Sequence, residues 1–139
     1  LHFKEGNAQI FVDKLPVVRG ISVQMSQLFY NFIGNAIKFT DINPIININY
    51  FRAEILEHGE TIAPGIYHCI SVKDNGIGIE KQYMSKIFSI FQRLHPQSSY
   101  KGTGIGLSLC KKIAENHKGT ITVESTPGVG SDFSIYLPV

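Results

Sequence analysis

Two asparagines and a lysine stand at Asn31, Asn35 and Lys38 in the stretch Asn31-Phe32-Ile33-Gly34-Asn35-Ala36-Ile37-Lys38-Phe39. In a helix, at about 100° per residue, the three fall within one narrow arc beside the apolar stripe. The Asn35 carbonyl oxygen suits a hard cation such as Mg²⁺, which keeps several waters and accepts few protein ligands. Lys38, one turn on, could hold an ammonium near a phosphate. An ordinary solvated helix face would look the same. A second segment, Asp74-Asn75-Gly76-Ile77-Gly78-Ile79, closes an apolar run with a carboxylate and a glycine turn. An ionised carboxylate only accepts hydrogen bonds. It therefore favours the exocyclic amine of adenine over the carbonyl oxygen that guanine presents at that edge. The bland alternative is a strand-ending Asx turn. The third segment is Gly102-Thr103-Gly104-Ile105-Gly106-Leu107. It opens a helix, whose free N–H groups and dipole favour phosphate. Its glycine spacing is not that of a dinucleotide fingerprint, and no Lys-Ser/Thr pair makes it a P-loop. By itself it could be a flexible linker with a glycine cap.

The elements that must position these segments can be read from periodicity. Residues 8–12 read as a short strand. A helix is expected from about Ser22 to Thr40, with Met25, Leu28, Phe29, Phe32, Ile33, Ala36 and Ile37 as its apolar face and Ser22 as its cap. Residues 45–53 and 66–73 read as neighbouring strands joined through Glu57-His58-Gly59-Glu60 and Pro64-Gly65. A short helix is expected after Glu80, and a mobile Gln-, Ser-, Pro- and Gly-rich loop over 92–104. A second helix runs from near Ile105 to near His117. Two closing strands follow, with Ile121 and Val123 inward in the first and Phe133, Ile135 and Leu137 in the second, around the turn Pro127-Gly128-Val129-Gly130. The fold class expected is α+β: a two-layer sandwich, a mixed and mostly antiparallel sheet of about five strands with about three helices on one face.

The chain's 139 residues suit a single domain over 1–139, and its 43% apolar content suits a real core. A net charge of +2 without basic runs gives no case for a nucleic-acid partner. Cys69 and Cys110 lack metal-ligand spacing and read as core residues. No stretch approaches the ~20 apolar residues of a membrane span, so no direct membrane contact is expected. No signal peptide is visible and Leu1 is not Met, so the chain reads as a piece of a longer, intracellular protein.

Taken together, the three segments resemble the ATP-binding domain of two-component sensor histidine kinases. That domain belongs to the superfamily shared with gyrase, the mismatch-repair ATPase and the heat-shock chaperone ATPase. The segments look like the family's N box, G1 box and G2 box, and Ile87-Phe88-Ser89-Ile90-Phe91-Gln92-Arg93 looks like its F box. The run Phe91-Gln92-Arg93-Leu94-His95 with Tyr100-Lys101-Gly102-Thr103-Gly104 is most similar to phytochrome-type and related bacterial sensor kinases. The resemblance implies a Bergerat-type fold with ATP and Mg²⁺ as ligands. Asn35 would bind the metal and Asp74 would read adenine, beside Phe39, Gly76 and Gly78. Ile79, Ile87, Leu107 and Phe133 would wall the base, and Ser131 would support Asp74 or a water. Residues 88–104, starting at Phe88, would form an ATP lid, with Arg93 and Lys101 near the phosphates and Gly102, Thr103, Gly104, Ile105 and Gly106 cradling them. Two positions depart from the family's pattern: Ile21, where an acidic residue often starts the helix, and Lys118, where glycine is common.

The superfamily's hydrolases resemble one another in carrying a glutamate one turn before the metal-binding Asn. Asn31 occupies that place here. An amide has no useful basicity toward water, which favours passing the γ-phosphoryl group to an outside acceptor over fast hydrolysis. Asn31, Lys38 and Arg93 are the expected catalytic side chains. None of the five histidines, His2, His58, His68, His95 and His117, sits in the family's acceptor motif. The acceptor is therefore expected on a separate dimerisation domain of the same protein, whose upstream helices would also make the dimer. A response regulator would be the next partner, and a bacterial cytoplasm the setting. A clamp-type ATPase and a nucleotide-independent interaction module are the competing readings.

Overall fold

The computed structural model describes residues 8–40, 43–58, 62–88 and 106–139. Five strands form one sheet: β1 (Gln9–Val12), β2 (Ile45–Ile55), β3 (Gly65–Asp74), β4 (Thr120–Thr126) and β5 (Gly130–Pro138), in the order β1-β2-β3-β5-β4. The β1–β2 pair is parallel, with Gln9 opposite Ile45, and every other pair is antiparallel. The helices are α1 (Ser22–Lys38) and α2 (Gly106–Asn116), with a 3₁₀ helix at Lys81–Lys86 where a short helix was expected. The expected α+β class and mixed five-stranded sheet are what the structure has. The loop expected over 92–104 lies outside the described residues, as does Ile105.

One apolar layer joins helices and sheet. Leu28, Phe32, Ile33 and Ala36 of α1 and Leu107, Cys110, Ile113 and Ala114 of α2 meet Ile46 and Ile48 of β2, Ile70 and Val72 of β3, and Phe133, Ile135 and Leu137 of β5. The α1 positions follow the 3.6-residue period, and those of the strands follow period two. Phe32 packs its ring on Phe133, with centroids 5.4 Å apart. The sheet's other face carries the alternate residues. Cys69 falls there, level with Phe51 and Tyr136, yet it is fully buried and its thiol hydrogen-bonds the Tyr136 and Ser134 side chains. Both cysteines are buried, as expected: Cys110 in the layer between helices and sheet, Cys69 on the sheet's other face.

Helix α1 is bounded differently from its sequence reading. Ser22 is its first helical residue, and the N-cap is Ile21, which has no side chain to cap with. A distant group substitutes: the Ile21 N–H donates to Nε2 of His117, 2.9 Å away, while His117 Nδ1 donates to the Ile113 carbonyl at 2.8 Å. This pattern fixes the imidazole as the neutral Nδ1–H tautomer. Asn116 Nδ2 adds a bond to Gln24 Oε1 at 3.3 Å, so the C-terminal end of α2 holds the N-terminal end of α1. At its far end α1 stops at Lys38, short of Thr40. Phe39 leaves the helical region at φ −99°, and Thr40 Oγ1 donates back to the Ala36 carbonyl at 2.5 Å.

Helix α2 ends in a Schellman motif: Gly119 N–H donates to Ala114 O at 2.8 Å and Lys118 N–H to Glu115 O at 3.0 Å. Its left-handed position is Lys118, at φ +59°, the only non-glycine with positive φ among the described residues. A side chain there is disfavoured by about 1 kcal/mol relative to glycine. Lys118→Gly should therefore raise stability by about 0.5–1 kcal/mol and the melting temperature by about 2–4 °C. Thermal unfolding of the two proteins checks this; an unchanged or lower midpoint contradicts it.

Candidate nucleotide-binding site

The site begins where β3 ends. Asp74 Oδ1 accepts the N–H groups of Gly76, at 2.8 Å, and Ser131, at 3.2 Å. These bonds tie the turn after β3 to the first residues of β5. The turn is also stapled on both sides: Ile77 N–H donates to the Phe39 carbonyl at 3.0 Å, and Gly128 N–H donates to the Ile77 carbonyl at 2.8 Å. The chain passes so closely here that side chains are excluded. A Cβ on Gly76 would lie 2.7 Å from Phe39 O, and one on Gly78 only 2.3 Å from Thr126 O. Gly78 also has φ +76°. Asn75 points away from this junction: Oδ1 accepts Ile45 N–H at 2.8 Å and Nδ2 donates to Asn43 O at 3.2 Å, fixing the entry to β2.

The cleft so formed is lined by Asn35, Phe39, Asp74, Gly78, Ile79, Ser131 and Phe133. Residues from the first and second sequence segments and from the closing hairpin thus share one wall. Ile87 and Leu107 are buried in the adjoining apolar cluster, and Phe88 packs against it. Gly76 shapes the turn, and Gly106 begins α2. Lys38 is the last residue of α1, its Nζ 5.4 Å from the centre of the Phe39 ring. Arg93, Lys101, Gly102, Thr103, Gly104 and Ile105 lie outside the described residues.

Asn31 sits beside this cleft with its amide engaged on both ends. Its Nδ2 donates to Gly106 O at 3.3 Å and contacts Cys110 Sγ at 3.6 Å, while Oδ1 accepts from Gln27 Nε2 at 3.3 Å. It therefore joins α1 to the first residue of α2. Burial pushes the Cys110 thiol up to about 11, so it stays protonated at neutral pH. Sequence reading missed Gln27, whose only signal is its place one turn before Asn31. It also missed Ser125, a polar residue at an inward position of β4 in register with Ile121 and Val123. Ser125 Oγ accepts Ile79 N–H at 2.8 Å and contacts Gly130 O at 3.0 Å and Ser131 Oγ at 2.8 Å.

Burial raises the Asp74 carboxyl above an ordinary 3.8, against the pull of the Gly76 and Ser131 N–H groups, and the charge of Asp132 adds to the rise. Asp132 itself is raised, first by burial; Lys73 opposite lowers it and Glu124 opposite raises it. Its Oδ1 is buried without a hydrogen-bond partner among the described residues.

A mixed sheet covered on one face by two helices, with an acid-and-glycine turn facing an Asn-bearing helix, defines a nucleotide-binding ATPase domain of histidine-kinase type. Residues 20–139 match the family of histidine kinase-, DNA gyrase B- and HSP90-like ATPases, and the chain belongs to that family. It is 44% identical over 137 residues to the phytochrome-like protein Cph1 of Synechocystis sp., a match covering 98% of this chain and 17% of that protein. It is 48% identical over 136 residues to cyanobacterial phytochrome A of Nostoc sp., covering 97% and 16%. The chain thus spans about a sixth of the length of these relatives. The catalytic domain of the histidine kinase ThkA superposes with a TM-score of 0.69 at 29% identity, over 95% of this chain and 79% of that one. Among the described residues no helix is long and apolar enough to cross a membrane.

The upward shift of Asp74 has a sign. A carboxyl raised on folding contributes its full share of stability below its unfolded value and loses it as pH rises through its folded value. Ionised Asp74 therefore costs the ligand-free domain stability at neutral pH. Asp74→Asn should raise the ligand-free melting temperature at pH 7, and the gain should vanish below the ordinary carboxyl value of 3.8. Unfolding scans across pH check this; a variant that melts lower at pH 7 contradicts it.

Proposed function

We propose that this domain binds Mg-ATP and donates the γ-phosphoryl group to a histidine on a dimerisation domain of the same protein, in two-component signalling. The observation that carries the reading is Asp74: a carboxylate whose Oδ1 is held by two backbone N–H groups at the floor of a cleft walled by Ile79 and Phe133. Its second oxygen is the acceptor offered to the exocyclic amine of adenine, and the apolar walls suit the base's faces. Guanine would set a carbonyl oxygen against that acceptor.

Asn35, on the same wall, fits the one neutral amide oxygen that Mg²⁺ would take from the protein, the phosphates and water supplying the rest. Among the described residues no trio of His, Cys, Asp or Glu could hold a cation without ATP. Bound Mg²⁺ would neutralise charge between the phosphate oxygens. Lys38 and, from the segment outside the described residues, Arg93 and Lys101 would add positive charge there, with Gly102, Thr103 and Gly104 supplying backbone N–H groups. Asn31 holds the start of α2 against α1 and offers no base toward water, which favours transfer over hydrolysis. The parent would be a bacterial sensor kinase with this domain on the cytoplasmic side. Its phosphohistidine would then pass the group to a response regulator.

Calorimetry with a non-hydrolysable ATP analogue tests the pocket. Binding is expected for the wild type, with a more than tenfold loss in Asp74→Asn, or at least about 1.4 kcal/mol. Asn35→Ala should bind the analogue with little dependence on Mg²⁺. Wild-type affinity in Asp74→Asn overturns the base-reading role. With γ-labelled ATP the isolated domain should not label itself, and rapid steady-state phosphate release would overturn the transferase reading in favour of a clamp-type ATPase.

A further inference from the structure

Three oxygens and one N–H lie in a chain behind the cleft: Ile79 N–H to Ser125 Oγ, Ser125 Oγ to Gly130 O, and Ser125 Oγ to Ser131 Oγ. Counting protons orients it. The Gly130 carbonyl can only accept, so the single Ser125 hydroxyl proton is the one that serves it. The Ile79 N–H can only donate, and it uses a Ser125 lone pair. The contact between the two hydroxyls then has a proton only if Ser131 supplies it. No other assignment gives all three contacts a hydrogen.

The Ser131 hydroxyl is therefore spent inside the protein, and what its oxygen presents to the cleft is lone pairs. Ser131 is 8% exposed and lines the cleft beside Asp74, whose carboxylate also only accepts. We propose that Ser125, which does not line the cleft, is a specificity-determining positioning residue: it fixes the direction of the Ser131 hydroxyl, making the polar floor acceptor-only and selective for a base edge that donates. This inference rests on the reading of the cleft as the base site, and it adds a second acceptor to Asp74. Adenine, with its amine, matches such a floor. Hypoxanthine carries a carbonyl oxygen where adenine has its amine, facing lone pairs from both residues; its one donor on that edge, N1–H, sits at the neighbouring ring position, where adenine N1 accepts. If the Ser131 hydroxyl were free to turn, it could donate to that carbonyl.

The test is the ratio of ITP to ATP dissociation constants, measured by calorimetry with Mg²⁺ on folded protein. Ser125→Ala should lower the preference for ATP about threefold to tenfold, the worth of one neutral hydrogen bond, through tighter ITP binding. Ser125→Thr retains the hydroxyl and should keep the wild-type ratio. With Ser131→Ala already in place, adding Ser125→Ala should leave the ratio unmoved, an outcome that a general loosening of the fold would not give. Should Ser125→Ala not fold, Ser125→Cys, with its weaker donor and acceptor, should shift the ratio the same way. Equal weakening of both nucleotides in Ser125→Ala, or a wild type that binds ITP as well as ATP, overturns the proposal. A wild type that binds neither overturns the nucleotide-site reading itself.

Discussion

One half-buried carboxylate organises the cleft end of this domain. Asp74 accepts two backbone N–H groups on a single oxygen, and those groups come from its own turn and from the second strand of the closing hairpin. The bonds can form only if the turn is compressed between the end of α1 and the β4–β5 connection. That compression is why Gly76 faces the Phe39 carbonyl and Gly78 faces the Thr126 carbonyl with no room for a Cβ. The cleft floor is therefore made of backbone contacts, which cannot relax by rotamer changes. The part of the cleft built this way is pre-organised, so ordering it would take little of a ligand's binding energy.

The second organising contact is between the helices. Asn31 joins the middle of α1 to the first residue of α2, and His117 and Asn116 join the other ends. Asn35 lines the cleft one turn beyond the Asn31 tie. The cross-helix bonds are neutral and part-buried or exposed, each worth about 1 kcal/mol, so their importance is geometric more than energetic. They set the register of α1 on α2, while Phe32, Leu28, Cys110 and Ile113 supply the burial that holds it.

How much of this was legible in sequence depended on range. Helix α1, the strand faces and the inward Phe133, Ile135 and Leu137 follow from local periodicity, because one buried face per element dictates spacing. The Asp74 turn was legible because carboxylate and glycines are adjacent. Ser22 was misjudged as a cap because the group that completes the helix start, His117, lies 96 residues away. Ser125's bond to Ile79 and Asn31's bond to Gly106 were hidden for the same reason: 46 and 75 residues of chain separate the partners. Lys118 stands where the resembled family commonly has glycine, and its left-handed φ shows the physical reason for that preference.

On the proposed reading of the cleft as a base site, its electrostatics make sense as a cost accepted for recognition. Asp74 is desolvated, lies near Asp132, and is satisfied by neutral donors alone on one oxygen. An asparagine would fit the backbone donors nearly as well and avoid the charge. What it could not do is present a pure acceptor, because its amide would offer protons to the base as readily as accept them. The destabilising charge persists where only a charge fixes the direction of the next hydrogen bond. Ser131 obtains the same one-way character without a charge, by having its proton taken by Ser125. On the same proposal, a floor of two groups that both accept, one by ionisation and one by its place in a hydroxyl chain, would discriminate by the penalty on an unmatched carbonyl. It does not need added attraction, and such penalties exceed the net worth of the bonds they replace.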